Sequence, residues 1–466
     1  MSNYQLTAAA LREALGEQKV STLQKDLEAS SHDTWPLMTK LNLIGEHPNK
    51  ADIVVRAEND DDICKVLDLA NQEKVPVTVR ALASSVTGQP LPTKGGIVLD
   101  ISEIPSSYSV NEANMTVTAT CSFNGGDLEE LLKKQGWTMG HSPQSLYRST
   151  VGGWLATLAT GQFSSMYGGI EDLVVGYDVI LATGEKMTLK ANPRAAMGPD
   201  LRQIFLGSEG TLGVITSVTL KIFPIQEAEA FMTYAIPTVK DGLALMREIA
   251  ASNLKPCLVR FYDTEEARHA MQDKSFETPV LFLGSRGLPA MVDAEQGVLN
   301  QIATKHGGQA IGPEGVLGWM DRRYDFSTVE NLLASKGGFG ETIEIAHNWD
   351  SIHPLWEDLK QALDPLADEV ISHFSHIYNQ GTSMYVILLG QEESNEASVE
   401  TLKKIWSTTM EVCIKHGAEL SHHHGGGLAR SPYSRRSIGE AHLILRKLKA
   451  ALDPNSILNP GKLGLD

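Results

Sequence analysis

The sequence predicts an α+β protein of two or three packed domains, and three observations predict it. At 466 residues the chain is too long for a single hydrophobic core. Helical and β-type apolar periodicities follow one another along it. Small residues and polar turns also recur between Gly136 and Gln226, in Ser149-Thr150-Val151-Gly152-Gly153-Trp154, Tyr167-Gly168-Gly169-Ile170-Glu171-Asp172 and Gly207-Ser208-Glu209-Gly210-Thr211-Leu212-Gly213-Val214-Ile215. Glycines allow main chain to approach a ligand closely, so these clusters read as loops folded over something flat, large and anionic. A flavin dinucleotide fits that description, and a redox enzyme follows from it.

Residues 1–45 read as a helical segment, with Arg12, Glu13, Glu17, Lys19 and Lys25 among apolar positions at helical spacing and no signal-peptide core. Ile53-Val54-Val55, a helix opened by Asp60-Asp61-Asp62 with Ile63, Val66, Leu67 and Ala70 on one face, and Val75–Val79 form a β-α-β unit. The loop Arg80-Ala81-Leu82-Ala83-Ser84-Ser85 after that unit can offer backbone N–H groups and hydroxyls to a pyrophosphate. Val174–Leu181 and Met187–Leu189 read as a hairpin, and Gly213–Phe223 as a long β run ended by Pro224, where we place a domain boundary. Beyond it, helices such as Gly242–Ala251 alternate with strands such as Leu258–Tyr262 and Met384–Leu389, and Ile438–Ala451 is an amphipathic tail.

Forty Lys and Arg stand against 57 Asp and Glu, and a net charge of −17 argues against nucleic acid as the main partner. Cys64, Cys121, Cys257 and Cys413 have no tight spacing, so reduced structural thiols are expected rather than a disulfide framework or zinc knuckle. No apolar stretch is long enough to cross a bilayer, and a cytoplasmic location is the expectation.

With these residues in hand, the chain resembles the FAD-linked oxidases of the vanillyl-alcohol oxidase and p-cresol methylhydroxylase (PCMH) superfamily, most closely the alkyldihydroxyacetonephosphate synthase-like branch. The similarity spans about residues 45–466 and is strongest at STVGGW, YGGIEDLVV, GSEGTLGVIT and Ser421-His422-His423-His424-Gly425. The resemblance implies a two-subdomain PCMH-type FAD-binding domain over 46–226 and an α+β cap over 227–466, whose C-terminal helical segment returns to the FAD domain. It also implies a set of FAD contacts. These are Arg80, Ala81, Leu82, Ala83, Ser84, Ser85, His141, Pro143, Gln144, Ser149, Thr150, Gly152, Gly153, Trp154, Thr157, Glu209, Gly210, Gly213, Val214 and Ile215. Where the family's first loop runs through glycines, this chain has Ala81-Leu82-Ala83, so that loop is expected to sit further from the phosphates or to be less tightly turned. No histidine stands at the position where some relatives tether FAD, so the cofactor is expected to be noncovalent.

The resemblance places an active-site tyrosine at Tyr385. His422, His423 and His424 gather three imidazoles suited to proton transfer near neutral pH, although adjacent residues of extended chain point to opposite sides. His373 takes the approximate place of an arginine that the synthases use for substrate phosphate, which puts phosphate recognition in doubt. With His376, and with Arg260 on its β run, it is a substrate-binding candidate. His373 and His376 could instead contribute to a metal site, as histidines do in the related D-2-hydroxyacid dehydrogenases, but a strand would point them to opposite faces, so none is the expectation. The function expected is oxidation of a small polar alcohol, a 2-hydroxy acid or sugar-derived relative, by hydride transfer to FAD. The alternative is exchange of acyl for alkyl without net redox, as in the synthases. Partners would be the small-molecule substrate and an unidentified electron acceptor, and a homodimer is left open.

Overall fold

The computed structural model describes residues 3–465. A four-stranded sheet begins the fold in the order Val20–Ser21, Ile53–Arg56, Ile97–Asp100, Val77–Arg80, its last three strands parallel. The expected β-α-β unit is present, but Ile97–Asp100 lies between its two strands. Its helix, Asp60–Glu73, is capped by Asn59 Oδ1 accepting from Asp62 N–H, and the acids of its first turn oppose the helix dipole. The N-terminal segment is not purely helical as expected. Val20–Ser21 pairs antiparallel with Val54 and Val55, because the apolar edge of that sheet must be covered.

The second sheet is antiparallel, in the order Tyr108–Asn111, Thr116–Thr120, Val214–Lys221, Val174–Ile180, Lys186–Leu189. The predicted hairpin is its outer pair. The third, of seven antiparallel strands, carries Ala228–Ala235, Val280–Gly287, Leu258–Tyr262, Glu369–Ile377, Gly381–Gln391 and Gly338–Asn348 in that order, with Gln309–Gly312 at one edge.

Each sheet has its own apolar core, and both chain ends tie the cores together. Trp35, Leu37, Met38 and Leu41 pack into the core of the seven-stranded sheet, while Ile457 and Leu458 enter that of the first. Lys449 Nζ, buried after the chain returns, donates to Thr211 O (2.8 Å) and Leu458 O (2.7 Å). No helix among the described residues is long and apolar enough to cross a membrane.

Candidate flavin and substrate site

A cavity of about 1480 Å³ lies between the first two sheets and the seven-stranded one, more room than most single small-molecule pockets need. Its floor is the loop 80–86, the turn Pro143–Gly153 and Ser208–Ile215; its roof includes Arg260, His373, His376, Tyr385, His423 and His424. Most of the residues expected to meet the dinucleotide line this floor. Among the described residues, the N–H groups of Leu82, Ala83, Ser84 and Ser85 have no protein acceptor, which leaves a row of donors such as a pyrophosphate requires. A Cβ built on Gly153 would meet only Thr150 Oγ1, at 3.3 Å. The loops therefore fit a flavin dinucleotide. The loop is also turned more tightly than expected, since Ala83 takes a left-handed φ of 51° that glycine would adopt at less cost.

Several of these lining residues also hold the floor together, and one expected contact, His141, lies outside it. Arg80 lines the floor while its guanidinium donates to His32 O (2.8 Å) and Ala29 O (3.3 Å), closing the end of the helix Gln24–Ala29. Ser85 Oγ is engaged by the Asp33 carboxylate (2.6 Å), which also accepts from Gly88 N–H (2.8 Å). Glu209 lines the floor, and its carboxylate accepts from the N–H groups of Gly426 and Gly427, joining floor to roof. His141 is not among the lining residues. It is buried against Trp154 (ring centroids 4.6 Å apart), and burial pushes its imidazole down to about 3. The Trp154 indole lies in the core of the second sheet, donating to Ser149 Oγ (2.7 Å).

On the roof, His373 and His376 share the cavity although three positions apart on one strand. Ser375 pairs with Ser383 and Ile377 with Thr382, which leaves His376 as the extra residue of a β-bulge with a left-handed φ of 58°. A bulge breaks the two-residue alternation and re-aims the side chain, so the expectation of opposite faces fails. With it fails the reason given against a metal: ring nitrogens of His376, His422 and His423 lie within 4.8 Å of one another, a spacing that could hold an ion.

Arg260 Nη2 lies 2.7 Å from His373 Nε2, and its Nε donates to Tyr262 Oη at 2.7 Å. A guanidinium only donates, so His373 Nε2 accepts and its Nδ1–H donates to the Glu266 carboxylate (2.7 and 2.8 Å). The His373 ring stacks on Tyr385 at 4.2 Å. Burial pushes the Glu266 carboxyl up to about 7 against the opposing pull of Arg260, and burial likewise raises the Tyr385 phenol, which stays a hydroxyl.

The histidine loop is shaped by a residue that the sequence reading missed. The buried Glu344 carboxylate accepts from the backbone N–H groups of His422, His423 (3.2 Å) and His424 (2.9 Å), from Ser421 Oγ (2.9 Å) and from Arg430 Nη2 (3.2 Å). Burial alone would raise its pKa, but Arg430 holds it well below the usual carboxylate range. The only signal in the sequence is an acid between two isoleucines in a strand. His423 and His424 line the cavity; His422, also a catalytic candidate, lies outside its wall. Burial pushes the imidazoles of His422 and His423 down to about 3 and that of His424 to about 4, so all three are neutral near pH 7.

Residues 51–190 match the FAD binding domain family and residues 225–463 the C-terminal domain of FAD linked oxidases, so fold, cavity and family define an FAD-linked oxidoreductase. The chain belongs to the FAD-linked oxidase family. It is 32% identical to the uncharacterised FAD-linked oxidoreductase YgcU of Escherichia coli O157:H7, over 97% of each chain. It is 27% identical to alkyldihydroxyacetonephosphate synthase of Dictyostelium discoideum, over 90% of this chain and 74% of that one. It is also 27% identical to a mitochondrial D-lactate dehydrogenase (cytochrome) of Arabidopsis thaliana, over 89% and 74%. A solved alkyldihydroxyacetonephosphate synthase superposes with a TM-score of 0.82 at 24% identity, covering 98% of this chain and 86% of that one. A p-cresol methylhydroxylase superposes at 0.81 and 15% identity, covering 100% and 98%, which supports the fold.

Proposed function

We propose that the protein oxidises a small polar alcohol bearing an anionic group, a 2-hydroxy acid or sugar-derived alcohol, with noncovalent FAD as hydride acceptor. The observation that carries this reading is the placing of one buried cation, Arg260, beside a neutral proton-handling set, Tyr385 and His423, on a single cavity wall. Arg260 Nη1 has no protein acceptor among the described residues and can hold a substrate carboxylate. That contact would turn the carbinol carbon toward the flavin loops and its hydroxyl toward Tyr385 and His423. His423 Nε2, 3.0 Å from Tyr385 Oη, can receive a proton through the phenol. When bound, FAD supplies the two-electron acceptor. The D-lactate dehydrogenase named among the relatives agrees with this substrate class.

One observation favours an exchange of acyl for alkyl without net redox, the chemistry implied for the synthase relatives. The same cavity is also lined by Val329, Leu333, Val370, Ile387 and Leu389, apolar side chains against which a long chain could lie. Against it, His373 is occupied by Glu266 and Arg260 and presents no free cation to a phosphate. Anaerobic mixing with D- and L-lactate, glycolate, glycerate and polyols should bleach the yellow protein. Bleaching by none of them, with alkyl exchange on an acylated dihydroxyacetone phosphate, would establish the second reading. Acid or heat should release FAD intact; flavin remaining on the denatured chain would show a covalent link.

A further inference from the structure

Six side chains form one unbranched hydrogen-bonded series across the roof. Ser164 Oγ lies 2.8 Å from His376 Nδ1, and His376 Nε2 lies 3.1 Å from Tyr385 Oη. Tyr385 Oη lies 3.0 Å from His423 Nε2, and His423 Nδ1 lies 2.8 Å from His422 Nδ1. His422 Nε2 lies 2.7 Å from Tyr378 Oη. Tyr385, His376 and His423 line the cavity, whereas His422 and Tyr378 do not, and Tyr378 is 42% exposed. From Tyr385, at the proposed reaction centre, one arm of the series therefore runs through His423 and His422 to Tyr378, a partly exposed residue outside the cavity lining.

We propose that His422 and Tyr378 form a proton outlet, through which the hydroxyl proton of the substrate leaves the buried site. The proposal rests on the alcohol-oxidation reading above. Removing hydride from an alcohol carbon also frees one proton from its oxygen, and that proton needs an acceptor. Each neutral imidazole has one N–H and one lone pair, so every link can be made with a single polarity. In the outward polarity Tyr385 takes the substrate proton as its own passes to His423 Nε2. The Nδ1 proton of His423 then passes to His422 Nδ1, the Nε2 proton of His422 passes to Tyr378 Oη, and the Tyr378 hydroxyl proton enters water. One proton enters and one leaves, while the two electrons and the carbon-bound hydrogen go to FAD as hydride. Each passage reverses the polarity of the series, which a return transfer or ring reorientation restores.

Tyr378 is a positioning and relay residue that does not touch the cavity, so Tyr378→Phe should retain FAD and bind substrate as before. Flavin reduction by the fastest-bleaching acid of the panel should slow about tenfold with a larger solvent deuterium isotope effect. Imidazole buffer should restore the rate in Tyr378→Phe but not in Tyr385→Phe. Without any turnover, ¹⁵N-histidine NMR of the FAD-loaded protein should show His422 and His423 in opposite tautomers, since one proton serves the Nδ1–Nδ1 contact. An unchanged rate and isotope effect in Tyr378→Phe, matching tautomers, or a stoichiometric metal held by His376, His422 and His423 would each overturn the outlet. If no alcohol bleaches the flavin, the oxidation reading fails, and the outlet falls with it; the tautomers then still report whether the hydrogen-bonded series exists.

Discussion

Gly153 faces the cavity with nothing but Thr150 Oγ1 within 4 Å of a Cβ placed there, whereas a Cβ on its neighbour Gly152 would meet Cys121 Cβ at 2.6 Å. The two glycines thus serve different ends, one leaving room for a ligand and the other for the core. Gly153→Asp should fold normally yet lose retained FAD, because its carboxylate would project among the donors that would hold pyrophosphate. Full flavin occupancy, read as the 450 nm absorbance per polypeptide, would show that this loop does not hold the cofactor. Glu344 is the opposite case, a charge that is wholly internal. Replacing it by Gln removes the partner of buried Arg430 and opposes an amide NH₂ to the N–H groups of the histidine loop. Breaking a buried pair from one side costs about 3–5 kcal/mol, so E344Q should lower the urea midpoint accordingly, with or without bound flavin. An unchanged midpoint would contradict that organising role.

At the scale of elements, strands and helices were largely legible, because their apolar periods were regular: Leu258–Tyr262 is a strand over the expected residues. What was hidden is a break in period. The bulge at His376 adds one residue without altering the composition of its strand, and only the partner register exposes it. Likewise Glu266 and His373 meet across 107 positions, on a helix and a strand that nothing local connects. That pairing has a measurable consequence. Below pH 7 the Glu266 carboxyl, raised to about 7 by burial, is neutral and leaves the Arg260 charge free for an anionic substrate. Above it, the carboxylate competes with that anion. The dissociation constant of an unreactive anion such as oxamate, followed by perturbation of the flavin spectrum, should therefore rise roughly tenfold per pH unit above pH 7. E266Q keeps an acceptor for His373 Nδ1–H and should remove the slope. A slope that persists in E266Q would assign the titration to another group.

At the scale of the whole molecule, the glycine clusters and residue blocks pointed to the flavin fold, but the ties between its parts were not legible, since they join residues hundreds of positions apart. Lys40, fully buried, donates to Ser335 O (2.9 Å) and Asn395 Oδ1 (3.0 Å), while Asp33 holds the loop below the cavity. Trp35 packs edge-on to Trp406 at 5.9 Å, and Trp406 Nε1 donates to Glu341 at 2.8 Å. The N-terminal segment, the long helix Asn395–His416 and the seven-stranded sheet thus converge on one buried carboxyl, which burial pushes up to about 8. An acid whose folded pKa is raised adds stability that is fully present below its ordinary value of 4.5 and is lost as pH rises through 8. Glu341 should accordingly withdraw on the order of 3–4 kcal/mol between pH 5 and pH 8. E341Q keeps the acceptor for Trp406 without the charge, so its urea midpoint should fall less over that interval than that of the unmodified protein. Equal pH dependence in the two proteins would mean that Glu341 is already ionised at neutral pH and that this junction is not its site of strain.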